Sequence, residues 1–391
     1  MRKKIQERSI VKVAVICDVL GQANNGTTIA ALNLIRTLRE KGHEVRVVCP
    51  DAERAREPGY YIVPKYDFHM FNDYVEKNGV APAKLDTKVL ESAIHDVDVI
   101  HVMIPFALGK AAAHYAHDHG IALTAGFHCQ AENITNHIFL QNSPRANTTV
   151  YHILYERVYQ FCDLIHYPTQ FIRDTFEAIV GHTEGRVISN GVSSDFHPIP
   201  VTRPPELEGK YVVLFTGRYS REKSHKVLLD AVAQSRHRDK IQLIFAGAGP
   251  QEAHLREHAE KLGIPMPIMQ FYSRKELVNT INMADLYVHP AEIEIEAISC
   301  LEAIACGRVP LIADSPRSAT RYFALTDKNL FHYNNSADLA EKMDWWLEHP
   351  QERQQCAQDY LGYAHQFDFD TCMDAMEQML KDAVEAKHHG A

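Results

Sequence analysis

Along nearly all of its 391 residues, this chain alternates short runs rich in β-branched side chains with stretches of helical periodicity. A strand, a helix and another strand in succession return the chain to the same end of a sheet, so the alternation dictates parallel sheets covered by helices, an α/β class. Residues 12–17 predict a buried strand, 27–41 an amphipathic helix stopped by Gly42, and 44–49 the next strand, together a right-handed βαβ unit. Further strands are expected at 98–103, 121–127, 163–167 and 186–189. Pro198, Pro200, Pro204 and Pro205 then crowd into 196–209, too proline-rich for a helix or a central strand, and are read as a hinge over 198–209. A second series follows, with strands at 211–216, 241–246, 285–289, 309–313 and 329–332. The expected organisation is one domain over 1–197, another over 210–365, and a C-terminal helix over 366–391 that packs back across the domains.

Composition narrows the function. An apolar share of 46% with 23% charged residues suits two cores of about 150 to 200 residues each and excludes disordered or fibrous architectures. The net charge is −9, and without a long basic stripe a nucleic-acid partner is not expected. No run approaches the ~18 to 20 apolar residues of a spanning helix. The start, Met1-Arg-Lys-Lys, is followed by an apolar run over 13–16 that stops at Asp18, which reads as a first strand and not as a secretion signal, so a cytoplasmic protein is expected. Arg2, Lys3, Lys4, Arg8 and Lys12 face only Glu7 in the first twelve residues, a solvated start or a tether to the inner membrane surface. Eight cysteines without a Cys-x-x-Cys pair suit reduced thiols better than a disulfide frame or zinc site.

Two stretches carry chemistry. Thr216-Gly-Arg-Tyr-Ser-Arg-Glu-Lys-Ser224 follows the first strand of the second series, so Arg218 and Lys223 fall in the loop at its carboxyl end, where open α/β sheets bind ligands. Two cations there suit a diphosphate; the plainer reading is a pair of solvated loop charges. Glu294-Ile-Glu-Ala-Ile-Ser-Cys-Leu-Glu302 is the second. On one helix its two outer glutamates would lie about 80° apart, so a shared task needs Glu294 in a loop and Glu302 inside the helix. His289-Pro290 supports the loop, and Ile298, Leu301 and Ala305 with Gly307 as the stop support the helix.

With these residues in place the chain resembles the retaining glycosyltransferases of family 4, which have the GT-B fold of two facing Rossmann-like domains, and within them the branch that glucosylates diacylglycerol. The resemblance runs through Asn24-Asn-Gly-Thr-Thr28, Gly42-His-Glu-Val45, Asp98-Val-Ile-His101, Asn190-Gly-Val192, Gly217-Arg218, Glu222-Lys223, Ala246-Gly-Ala-Gly-Pro250 and the Glu294/Glu302 pair. It implies that Arg218 and Lys223 grip the diphosphate of a nucleotide sugar, that Glu302 binds its ribose, and that Glu294, with Glu296, Ala297 and Ile298, lies by the transferred sugar. Gly26 and Thr27 would meet the phosphates, the glycine by permitting φ > 0 and close backbone approach. Uracil recognition is expected from backbone near Phe271 to Arg274. Two departures stand out: Ile295-Glu296-Ala297 replaces the usual Gly-Phe-Gly, and Ser224 replaces the usual Gly after the lysine.

Phe127-His-Cys-Gln-Ala-Glu-Asn133 is similar to the His-x-Gln-x-Glu segment of diacylglycerol α-glucosyltransferases, which implies an acceptor side built from His128, Gln130 and Glu132, with His128 titrating near neutrality and assisting proton movement. Catalytic roles are expected for His128, Glu294, Arg218 and Lys223. Ile138, Phe139, Leu140 and a Tyr151, Tyr155, Tyr159 stripe suit core, or in part an amphipathic anchor at a membrane interface. Asp96-Val-Asp98 has the form of a metal motif but reads as capping of the following strand. His114, His117 and His119 could chelate a metal, or form a solvated helix end. Gly247-Ala-Gly249 lacks the third glycine of a dinucleotide loop, so an oxidoreductase fits poorly.

The expectation is a metal-independent, retaining hexosyltransferase without cofactor, moving glucose or galactose from a UDP-sugar to a lipid hydroxyl of diacylglycerol or ceramide, in a cleft between domains that closes to exclude water. A soluble glycan or small-molecule acceptor, and an inactive sugar-nucleotide-binding protein, are the other readings. The sequence leaves the oligomeric state open.

Overall fold

The computed structural model describes residues 10–20, 26–67, 82–136 and 140–389. Asn24, Asn25, Ile138, Phe139 and most of the basic start lie outside them. Two compact units make up the chain. One runs to Ile188 and takes in Met373 onward; the other is Ser189–Cys372. The 198–209 stretch read as a hinge falls inside the second unit: the Ile199 N–H donates to Asn282 Oδ1 at 3.0 Å, Arg203 donates to the Met283 carbonyl at 2.8 Å, and Leu207 is buried. Prolines spoil ladders but still pack, so a proline-rich segment need not be a joint.

The first unit holds seven strands: β1 Lys12–Ile16, β2 Glu44–Cys49, β3 Tyr60–Ile62, β4 Val99–Val102, β5 Ala122–Gly126, β6 Leu164–Tyr167 and β7 Gly185–Val187. They form one parallel sheet in the order β3-β2-β1-β4-β5-β6-β7. The second unit holds β8 Tyr211–Thr216, β9 Ile241–Ala246, β10 Ile268–Gln270, β11 Leu286–His289, β12 Pro310–Ala313 and β13 Leu330–Phe331, parallel in the order β10-β9-β8-β11-β12-β13. Central strands such as β4, β5 and β9 are buried at every residue, as parallel strands covered on both faces must be. That explains their continuous apolar runs. β3 and β10 lie at sheet edges and are only partly buried, so they carry no such run and the sequence reading lacked them.

Each sheet reverses its strand order once, between β1 and β4 in the first unit and between β8 and β11 in the second. At such a switch point the loops leave in opposite directions and open a crevice at the carboxyl ends of the strands. The loops after β8 and β11 are those that carry Arg218 and Lys223, and Glu294.

The helix Phe369–His389 belongs, from Met373 on, to the first unit. Met376, Met379, Leu380 and Ala383 are buried along one of its faces. Glu377 accepts hydrogen bonds from Lys41 Nζ at 2.6 Å and Lys381 Nζ at 2.5 Å, and pairs with His43 Nε2 at 3.1 Å. Burial pushes the Glu377 carboxyl up, but these partners outweigh it and hold the group at about 2.

Candidate functional site

At the second switch point Lys223 Nζ donates to Glu294 Oε1. The same oxygen lies 3.1 Å from His289 Nε2, at the end of β11. Glu294 sits in the loop and Glu302 in the helix Ile298–Ala305, the arrangement the spacing required. The loop is braced from outside: the Ala319 N–H donates to the Glu294 carbonyl at 2.8 Å, the Ser315 hydroxyl to the Glu292 carbonyl at 2.6 Å, and the Glu292 N–H to the Glu222 carbonyl at 2.8 Å. Burial would raise the Glu294 carboxyl, yet Lys223 and His289 hold it at about 2, so it is a fixed carboxylate.

Arg218 Nη2 lies 3.3 Å from Glu222 Oε1, which also accepts from Ser220 Oγ. The loop after β8 stands against the loop after β9 backbone to backbone. A Cβ on Gly247 would come within 2.0 Å of the Gly217 carbonyl oxygen, and one on Gly249 within 2.6 Å of that of Tyr219. These glycines permit that close backbone approach. Ser224 and Ala297, standing where the resembled family has glycine, both adopt left-handed backbone, at φ 53° and φ 61°. The turns ahead of their helices are therefore kept with a side chain on each.

Glu302 is half-buried, with its carboxyl pushed up to about 7 by burial, and Arg274 opposes the shift only in part. No side chain among the described residues hydrogen-bonds that carboxylate. Glu296, in contrast, is buried and has donors of its own. It accepts from Ser189 Oγ, from the Asn190 N–H at 3.1 Å and from Asn190 Nδ2 at 2.5 Å, and burial raises it to about 7. Its carboxylate, expected beside the donor, is here engaged with the first residues of the second unit. Ile298 opens the Glu302 helix. Arg274 pairs with Asp195 at 3.2 Å, while Phe271 is exposed.

In the first unit Gly26 opens the helix Gly26–Glu40, with Thr27 next to it. A Cβ on Gly26 would meet no protein atom within 4 Å, and its φ is not left-handed, so the backbone conformation itself does not require glycine here. The switch point between β1 and β4 is occupied by Asp18, which the sequence reading passed over. Its carboxylate accepts the Leu108 and Gly109 N–H groups at 2.8 and 2.7 Å and so caps the helix Ala107–His119.

His128 follows β5, and its ring stands over Gly126, where a Cβ would come within 2.5 Å of Nε2. It packs edge-on against His166 at 5.5 Å. Burial, with His166 and His101 nearby, drives it well below neutrality, which corrects the expected titration near pH 7: the imidazole is neutral. Glu132 is held within the unit by Tyr151 Oη at 2.9 Å and Asn147 Nδ2 at 3.3 Å. Gln130 is buried. Of the tyrosine stripe, Tyr151 and Tyr159 are buried against Phe127 and the half-buried Tyr155 lies against Phe176, so within the described residues the stripe packs as core. Asp98 accepts the Lys12 N–H at 2.7 Å, and Asp96 binds Arg46. His114 and His117 lie against Phe161, and His119 stacks on Tyr115. Among the described residues no group of three or more His, Cys, Asp or Glu is gathered as for a metal ion, and no helix is long and apolar enough to cross a membrane.

Two family descriptions match the chain: Glycosyltransferase Family 4 over residues 24–196, and Glycosyl transferases group 1 over 202–360. A GDP-mannose-dependent alpha-mannosyltransferase of Corynebacterium glutamicum is 26% identical, over 90% of this chain and 84% of its own length. An alpha-monoglucosyldiacylglycerol synthase of Streptococcus pneumoniae is 24% identical, over 78% of this chain and 71% of its own. In fold, Anabaena Alr3699/HepE, solved with UDP and glucose, superposes with a TM-score of 0.74 at 18% identity, covering 95% of this chain and all of that one. Two parallel Rossmann-like sheets, acids and cations gathered at a switch point, and both family matches together establish that the chain is a glycosyltransferase of the GT-B fold and belongs to the family 4 type.

Proposed function

We propose that the protein is an α-retaining glycosyltransferase that moves glucose or galactose from a UDP-sugar to a lipid hydroxyl, such as that of diacylglycerol or ceramide. The observation that carries the reading is the Lys223 ammonium on the Glu294 carboxylate at the β8/β11 switch point, with Arg218 in the same loop. A diphosphate there meets two cations that stabilise the charge gathering on it as it departs, while Glu294 accepts from sugar hydroxyls. Glu302, a carboxylate without a side-chain donor among the described residues, suits ribose hydroxyls. In the reaction we assign, the acceptor oxygen bonds to the anomeric carbon on the face from which the diphosphate leaves. The hydroxyl proton passes to the departing phosphate oxygen. His128, neutral and the first residue of the His-x-Gln-x-Glu segment, lies on the acceptor side, and no metal is needed.

A lipid acceptor is supported by the relative named as a glucosyldiacylglycerol synthase; the mannosyltransferase relative favours a second reading, in which the donor is GDP-mannose. Mass spectrometry of lipid extracts incubated with the protein and a panel of UDP- and GDP-sugars separates them, because the mass added and the lipid modified report donor and acceptor together. Labelled lipid with UDP-glucose or UDP-galactose alone is expected; transfer from GDP-mannose alone, or only to soluble acceptors, overturns this reading. Lys223→Ala should lower transfer by orders of magnitude in a chain that still folds, though with a lowered melting temperature because Glu294 loses its ion-pair partner, and near-normal turnover would refute the role of Lys223.

A further inference from the structure

His289 has no counterpart among the residues assigned above, and only its backbone next to Pro290 entered the sequence reading. Its side chain is 1% exposed and both ring nitrogens are engaged. Nε2 lies 3.1 Å from Glu294 Oε1, and Nδ1 lies 3.2 Å from Tyr287 Oη, which is itself 3.5 Å from Ser299 Oγ. A carboxylate only accepts, so Nε2 carries the proton. Nδ1 is then an acceptor, and the tyrosine hydroxyl must donate to it. The hydrogens thus run from Tyr287 through His289 to Glu294, Ser299 Oγ being a second, longer acceptor for the tyrosine hydroxyl, and Lys223 donates to the same carboxylate oxygen from the opposite loop.

We infer that His289 is a positioning residue for Glu294, with Tyr287 fixing the tautomer that lets it donate. The inference rests on the reading of Glu294 as the carboxylate beside the transferred sugar. Two donors on Oε1 lock the carboxylate's rotation and leave Oε2 as the oxygen able to meet a sugar hydroxyl. Lys223 alone could not do this, because an ammonium on a flexible stem is a mobile point charge, whereas an imidazole wedged against the Phe215 ring at 5.4 Å is rigid. The charged and titratable groups around the pair are Lys223, Tyr287, His225 and Cys300. Burial lowers the His289 ring's basicity, so the ring acts as a neutral donor and the ion pair remains that of Lys223 with Glu294.

The test compares His289→Leu, which removes the donor while keeping bulk, with His289→Gln, which keeps an amide donor. Loss of a hydrogen bond to a charged group predicts a fall in kcat on the order of ten- to a hundredfold in the Leu variant, with a smaller change in donor KM. The acid limb of its kcat profile should move up toward the ordinary glutamate value of about 4.3. His289→Gln should recover most of both. The ring of the unsubstituted chain, identified by its loss in His289→Leu, should show the Nε2–H tautomer by 15N NMR, and Tyr287→Phe should mix the two tautomers. A Nδ1–H ring, or equal losses in the Leu and Gln variants with an unmoved acid limb, overturns the inference. If the unsubstituted chain transfers no sugar, the reading of function fails by itself, and the tautomer measurement still decides the geometry.

Discussion

At the residue scale the two outer acids of the Glu-x7-Glu pair are held in opposite states by their surroundings. Glu294 has two donors and stays ionised; Glu302 has burial, without a side-chain hydrogen-bond donor among the described residues, and rises to about 7. A carboxyl whose folded value lies above its unfolded one adds stability fully below the unfolded value of about 4.3 and loses it as pH rises through the folded value. Glu302→Gln should therefore be more stable than the parent at pH 8, by at most about 4 kcal/mol, and the gain should vanish below about pH 4. Calorimetry across that range checks it. UDP affinity should weaken in the parent as pH falls through about 7, and Glu302→Gln should abolish that dependence. Sequence spacing placed both acids correctly, one in a loop and one in a helix. It gave no sign of where Glu296 points, because its partner Asn190 lies 106 residues away in sequence. Nor did it mark His289, since a single histidine before a proline has no periodicity.

At the element scale, the helices that carry Lys223's neighbours and Glu302 both begin on a non-glycine residue in left-handed backbone. That conformation costs an L-residue about 1 to 2 kcal/mol, part of which glycine would return as unfolded-state entropy. Ser224→Gly and Ala297→Gly should each stabilise the protein by about 1 kcal/mol in urea titrations, and a destabilised variant would mean the side chain has a compensating role. Central strands were legible because burial on both faces demands unbroken apolar runs. The edge strands β3 and β10 were not, being short and half-wet, and the Asp18 cap was hidden because its partners at 108 and 109 lie across the sheet.

At the scale of the whole molecule, the C-terminal helix is fastened to the first unit by the ions around Glu377, whose folded value near 2 lies below its ordinary 4.5. A depressed carboxyl contributes stability above its unfolded value and loses it as pH falls through the folded one. Glu377→Gln should therefore lose on the order of 1 to 2 kcal/mol at neutral pH, solvent screening allowed for, and match the parent near pH 2. Urea unfolding at stepped pH measures this. The first unit closes only when residues from Met373 on have joined it, after the whole of Ser189–Cys372 has been made. During synthesis at about 5 to 20 residues per second, the half that emerges first must wait roughly ten seconds or more, with the seat of its last helix uncovered, while the later half folds ahead of it. A nascent chain paused just before Met373 is where chaperone demand should peak.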